Sequence, residues 1–202
     1  IIWYSPAREQ LAIPDEKKGI PYVIVTKYPL SGYEGDQIQI DYRTAVEGAY
    51  EKMRDLGMER IGFIFDSMKF FLFASENIHS YRITNYTKFV DSRERAFQAA
   101  YELLYQNPEL EGIIAGNSEI AAGIERALEL LERKDVRVFC CKESQWAEQN
   151  ANGMGSVSVS QSAVAEAAVS RLMDALEQPY THECLAQVIP AVFEYREEMP
   201  EL

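Results

Sequence analysis

IQIDYRTAVEGAYEKMRDLGMERIGFIF, residues 38–65, is the stretch that decides the fold. Residues 38–40 read as a short strand, and Asp41 follows it. Over 43–56 the apolar residues Val46, Ala49, Tyr50, Met53 and Leu56 keep the i, i+3, i+4, i+7, i+10 spacing of one helix face. Gly57 supplies a C-terminal stop, and the apolar run 61–65 reads as a buried strand. The same order returns in LEGIIAGNSEIAAGIERALELLERKDVRVFCCKE, residues 110–143. There a strand at 112–115 leads to Ser118 as helix N-cap. The helix stripe is Ile120, Ile124, Ala127, Leu128 and Leu131, and a strand at 136–141 follows. Strand, helix and strand in succession build parallel sheet covered by helices, so the fold class is α/β. Such sheets bind ligands at the carboxyl ends of their strands, which makes the residue after each strand the functional question.

Working outward, 1–5 and 20–25 read as strands. Between them 7–18 is a polar helical stretch cut by Pro14. Residues 67–82 are aromatic and carry no clean period, and 83–89 reads as a strand. Asp91 or Ser92 is placed to cap a helix running to about Gln106, with Ala96, Phe97, Ala100, Leu103 and Leu104 on its apolar face. After a loop, 156–160 alternates like a strand. Ser162 caps a helix whose stripe is Ala165, Ala168, Val169, Leu172, Met173 and Leu176. Residues 186–194 form one last extended segment.

The 202 residues carry a formal net charge of −12. A field of that sign repels phosphate backbones, so direct contact of this stretch with nucleic acid is not expected. No apolar run is long enough to span a bilayer. Cys140 and Cys141 are adjacent in a strand and should point to opposite faces, so a disulfide between them is not expected. With Cys184 the count is three, and the spacing matches no zinc site. Reduced thiols in a cytoplasmic protein are the expectation. His79 and His182 are the only histidines, and neither lies in a metal-ligand spacing. No nucleophile elbow, P-loop or dinucleotide fingerprint is present. An enzyme is therefore not expected, nor are catalytic residues, a metal or a cofactor.

Taken in order, four motifs resemble the lactose/purine-repressor (LacI/GalR) family of bacterial regulators. Gly19-Ile20-Pro21-Tyr22-Val23 resembles the family's GIPVV strand. Asp41 through Gly62 follows its D-N-x-x-G-A…L-G-H-x-x-I pattern without a gap, with Asp41, Leu56, Gly57, Arg60 and Ile61 keeping the residue types. Ala115-Gly116-Asn117-Ser118 with Ala121 and Gly123 resembles the A-x-N-D-x-x-A-x-G turn and helix. Ser158-Val159-Ser160-Gln161 and Tyr195-Arg196 resemble the closing strand and the late R-x-S. The family departs from this chain in three places. Its core begins two βα units before IIWYSP, after a DNA-binding headpiece. Its R-x-x-G-F helix has no counterpart here. Its sugar-binding aspartate after the strand at 138–141 is Lys142.

The resemblance implies a periplasmic-binding-protein-like fold of two lobes: a partial N-terminal lobe over 1–60, a C-terminal lobe over 61–160, and a closing helix and strand over 161–202. It implies an N-terminally incomplete effector-binding core that senses a sugar, sugar acid or sugar phosphate between the lobes, forms a homodimer and reaches DNA through a headpiece outside this stretch. The expected ligand contacts are Lys142, Asn117, Asp66, Ser5, Asp41, Tyr42, Trp146 and Gln161. Lysine only donates and carries positive charge, so Lys142 favours an anionic effector. Tyr4, Tyr28, Tyr42, Phe70, Phe71 and Trp146 are available to stack on a ligand ring or to pack at an interface. The run 70–73, Phe-Phe-Leu-Phe, is expected to be buried in the lobe or against a partner. A solute-binding protein for uptake, or a sensor without a headpiece, would share the fold.

Overall fold

The computed structural model describes residues 1–5, 19–27, 30, 35–76, 78, 86–141, 152–178 and 181–196. The expected helix at 7–18 and the first part of the expected strand at 83–89 lie outside them. In chain order the elements are β1 (Ile2–Ser5), β2 (Val23–Thr26), β3 (Asp36–Asp41), α1 (Tyr42–Asp55), β4 (Ile61–Phe65), α2 (Met68–Ala74), β5 (Thr87–Phe89) and α3 (Arg93–Gln106). Then follow β6 (Gly112–Ala115), α4 (Ser118–Leu130), β7 (Arg137–Cys141), β8 (Gly153–Ser158), α5 (Gln161–Glu177), β9 (Ala186–Pro190) and β10 (Val192–Tyr195). They divide into two compact units, Ile1–Tyr42 with Val159–Ala191, and Arg43–Ser158 with Val192–Leu202.

The first unit holds a four-stranded sheet in the order β1-β2-β3-β9, parallel throughout. Val23, Ile24, Val25, Ile38 and Ile40 form its interior. Helix α5 packs on this sheet, with only Ala168 and Leu172 of the expected stripe turned inward. Ala168 and Ala175 are buried, Arg171 and Leu172 lie between them on the same face, and Val169, Met173 and Leu176 stay about half exposed. The helix is turned because the Arg171 guanidinium reaches inward to the buried Asp36, and small alanines let the backbone come close to the sheet. Its N-cap is Ser160, whose hydroxyl accepts from the Ala163 amide at 3.2 Å, and not the expected Ser162. Serine suits either position, and the helix simply begins two residues earlier.

The second unit holds a six-stranded sheet in the order β10-β8-β7-β6-β4-β5. All its pairings are parallel except β10 on β8. Strand β8 lies between two others and is buried over Gly153–Val157, so the expected alternation does not appear. The expected extended segment 186–194 is two strands, broken at Ala191, and each belongs to a different sheet. Helix α1 ends as expected. Gly57 has φ 88°, and amide bonds from Gly57 to the Arg54 carbonyl and from Met58 to the Met53 carbonyl close a Schellman motif.

Helices α3 and α4 cover the core of Ile64, Leu103, Leu110, Ile113, Val136 and Val138. A Cβ on Gly123 would stand 2.5 Å from the Arg93 carbonyl oxygen and 2.7 Å from the Ala96 Cβ, so the glycine sets how close the two helices lie. Ser92 caps α3, and Ala96, Ala100, Leu103 and Leu104 are buried, as the period predicts. The unassigned stretch after β4 contains α2, capped by Ser67, whose hydroxyl accepts from the Phe70 amide at 3.2 Å. Phe70 and Phe71 are buried against Phe63 and Phe65. Leu72 is 60% exposed in the single chain, so of the two expected modes of burial the lobe supplies that of Phe70 and Phe71 only. A seven-residue helix packed on β4 has one inward face only. Phe73 lies under the Arg43 guanidinium, 4.6 Å from its ring centre, and Arg43 also pairs with Glu76.

Candidate functional site

In the second unit β4 and β6 are neighbours, with Ile64 opposite Ala115. Their carboxyl ends deliver Asp66 and Asn117 to the same place. Gly116 makes the approach possible: a Cβ there would meet the Phe65 Cα at 3.0 Å, and its amide donates to the Ile64 carbonyl at 2.8 Å. Asn117, not Ser118, is the N-cap of α4. Its Oδ1 accepts from the Ile120 amide at 3.0 Å, while its Nδ2 donates to Asp66 Oδ2 at 3.0 Å. Asparagine and serine are equally good caps. The asparagine side chain wins here because it satisfies the helix amide and a carboxylate at once. Asp66 is exposed and Asn117 half-buried. Together they present a carboxylate and an amide, a pair that accepts from and donates to hydroxyl groups. Strand β7, next to β6, ends at Cys141. Lys142 and Trp146, expected beyond it, lie outside the described residues, as does Tyr28.

In the first unit Ser5 closes β1 and Asp41 closes β3, where its carbonyl accepts from the Ala191 amide at 3.2 Å. Tyr42 is buried and Gln161 is exposed at the start of α5. Both line a groove of about 380 Å³ whose other walls include Ile2, Val25, Ile40 and Val169. Walls of that kind suit an apolar cover better than a polyhydroxylated ligand.

At the opposite end of β3 the structure gathers a group that the spacing of its residues does not reveal. The Asp36 side chain is 2% exposed. Its Oδ1 accepts from Arg171 Nε at 2.9 Å, from Arg171 Nη2 at 2.6 Å and from the Leu185 amide at 3.2 Å. Its Oδ2 lies 2.6 Å from His182 Nε2. Burial alone would push the Asp36 carboxyl up, but the hydrogen bonds from His182 and Arg171 outweigh it and hold the carboxyl below the usual range. Cys184 completes the group. Burial pushes its thiol up, and the Asp36 charge adds to this. The sequence signal was a His-x-Cys pair that takes on meaning only beside an aspartate 146 residues away.

Among the described residues no helix is long and apolar enough to cross a membrane. A comparison with curated protein sequences finds no match. Solved structures do match. The regulator CelR in complex with cellobiose is 20% identical, with a TM-score of 0.78 over 97% of this chain and 64% of its own length. A LacI-family regulator from Enterococcus faecium with bound ribose is 17% identical, with a TM-score of 0.69 over 93% of this chain and 74% of that one. A LacI-family regulator from Arthrobacter sp. FB24 in complex with lactose is 21% identical, with a TM-score of 0.70 over 89% of this chain and 70% of that one. At these identities the likeness is one of fold: parallel sheets flanked by helices, as expected from the motifs. A sequence profile of the periplasmic binding protein-like domain matches residues 50–197, nearly three quarters of the chain, and the chain therefore belongs to the periplasmic binding protein-like domain family.

Proposed function

We propose that this chain is the effector-sensing part of a LacI-type transcriptional regulator and that its effector is a sugar or an anionic sugar derivative. The observation that carries the reading is the Asp66–Asn117 pair, joined at 3.0 Å where two parallel strands end. That end of an α/β sheet is where such folds take ligands. The carboxylate accepts from ligand hydroxyls, and the half-buried amide holds it in place. Neighbours of the same fold carry ribose, cellobiose or lactose, which supports an effector of that class. Lys142, from its place in the sequence after β7, favours an acid or phosphate within it. The net charge of −12 assigns DNA contact to a headpiece outside these residues, with a homodimer relaying effector occupancy. The effector acts by binding one arrangement of the protein better than another, since only differential affinity shifts an equilibrium.

Calorimetric titration with pentoses, hexoses, disaccharides and their acids and phosphates tests this. One class should bind, and Asp66→Asn should weaken it about tenfold or more, the worth of a hydrogen bond to a charged group. The melting temperature should be unchanged, because Asp66 is exposed. If no member of the panel binds, or the variant binds as tightly as the parent, the reading is wrong.

A further inference from the structure

The group around Asp36 combines one carboxylate, one imidazole and one thiol. One ligand atom from each of Asp36, His182 and Cys184 lies within 4.8 Å of the others. We infer that these three side chains bind a thiophilic divalent cation, Zn²⁺, with a fourth position open to water.

The donor set supports that assignment. Cysteine sulfur, histidine nitrogen and aspartate oxygen are the ligands zinc takes, and a thiolate with an imidazole selects it over harder cations. In a tetrahedral zinc site the ligand atoms stand roughly 3.3–3.8 Å apart. His182 Nε2 and Asp36 Oδ2, now 2.6 Å apart, must open slightly, and the Cys184 sulfur, already within 4.8 Å of both, must rotate closer. Cys184 is exposed between Glu183 and Leu185, outside any helix or strand, so that rotation disturbs no packed element.

The second shell is already built. Arg171 holds Asp36 Oδ1 through two bonds and the Glu183 carbonyl at 2.6 Å, which leaves Oδ2 to the metal. The Leu185 amide holds the same Oδ1. Outer partners of this kind orient ligands and raise affinity. Arg171 also lies 3.3 Å from His182 Nε2. Its positive charge opposes the cation and sets the affinity below that of an all-anionic cage.

Binding releases the Cys184 thiol proton to solvent. The imidazole proton moves to Nδ1, so that Nε2 presents its lone pair. The metal would then tie the segment before β9 to the first residue of β3, where the two strands pair.

The test uses the reduced chain, stripped with a chelator and titrated with Zn²⁺ and, separately, with Co²⁺. One equivalent of either should bind, and Zn²⁺ should raise the melting temperature. The Co²⁺ form should show a thiolate-to-metal charge-transfer band. Cys184→Ser changes an exposed side chain and should leave the circular dichroism spectrum unaltered. It should abolish the band and weaken Zn²⁺ binding about tenfold or more, the scale on which even an outer-shell partner acts. His182→Gln should weaken binding likewise. The buried Cys140 and Cys141 remain in both variants. Failure of the parent to bind one equivalent, persistence of the band in Cys184→Ser, or undiminished affinity in His182→Gln would each overturn the assignment.

Discussion

Glu125 shows how a single residue works against its surroundings. It sits half-buried on α4, one turn before Glu129. Burial raises its carboxyl pKa, repulsion from Glu129 raises it further, and Arg93 offsets only part of this. A carboxyl raised on folding contributes stability below its unfolded pKa and loses that contribution as pH rises through the folded value. At neutral pH the charged form is a burden. Glu125→Gln should therefore stabilise the protein at pH 7 by about 0.3–0.5 kcal/mol, the size of a like-charge i,i+4 term. The gain should close by about pH 3, below the unfolded glutamate pKa of about 4.3, where the parent carboxyl is protonated in both states. Thermal melts at the two pH values measure it. Asn117 is the opposite case, one side chain satisfying a helix amide and an exposed carboxylate together. A residue after a parallel strand is worth noticing in a sequence, and both Asp66 and Asn117 were legible on that rule. Which of Asn117 and Ser118 caps the helix was not, because their intrinsic preferences are equal and only the position of Asp66 separates them.

Among the elements, α3 and α4 were readable because their apolar residues keep one clean period and the other faces are charged. The short α2 was not. MKFFLFA is apolar at every position but Lys69, and such a run carries no period to distinguish helix from strand. Its one local signal was the Ser67 cap. Helix α5 was predicted as a helix, but it is rotated so that only Ala168 and Leu172 of the expected stripe face inward. Hydrophobic spacing does not place an arginine on an inward face, and Arg171 turns inward to Asp36. The contact between α3 and α4 allows a test at this scale. Gly123→Ala puts a methyl against the Arg93 carbonyl and the Phe97 amide nitrogen, both backbone, so the helices must part. A loss of about 1–3 kcal/mol is expected in urea unfolding. Gly48→Ala in α1 is the control. Its nearest obstacle is a Phe193 ring carbon at 4.0 Å, and the gain in helix propensity should stabilise by about 0.5–1 kcal/mol.

Over the whole molecule the chain builds two units from segments distant in sequence, and the ties between such segments carry the architecture. Asp36 and Arg171 are 135 residues apart, and their side chains are 2% and 15% exposed. Arg171→Ala leaves the Asp36 charge buried with His182 and the Leu185 amide as its remaining partners. Breaking a buried pair in this way should cost about 3–5 kcal/mol. Arg171→Lys, which keeps the charge but not the two-pronged geometry, should lose less. Chemical unfolding of the metal-free protein measures both. A loss in Arg171→Ala no larger than that of an exposed pair would show that the tie carries little of the first unit's stability.

From the sequence alone came the α/β class, the parallel strands, the helices α1, α3 and α4, the family resemblance and the positions of Asp66 and Asn117 just after strands. Each is encoded locally, in a period, a turn residue or a short motif, and local patterns survive being read one window at a time. The tertiary structure alone decided that 186–194 divides between two sheets, that Arg171 faces inward, and that Asp36, His182 and Cys184 converge. The physical reason is the same in each case. A β-ladder partner, a counter-ion for a buried charge and a shared metal site are set by residues that meet only after the chain has folded back on itself. Nothing in the spacing along the chain records which distant segments will meet.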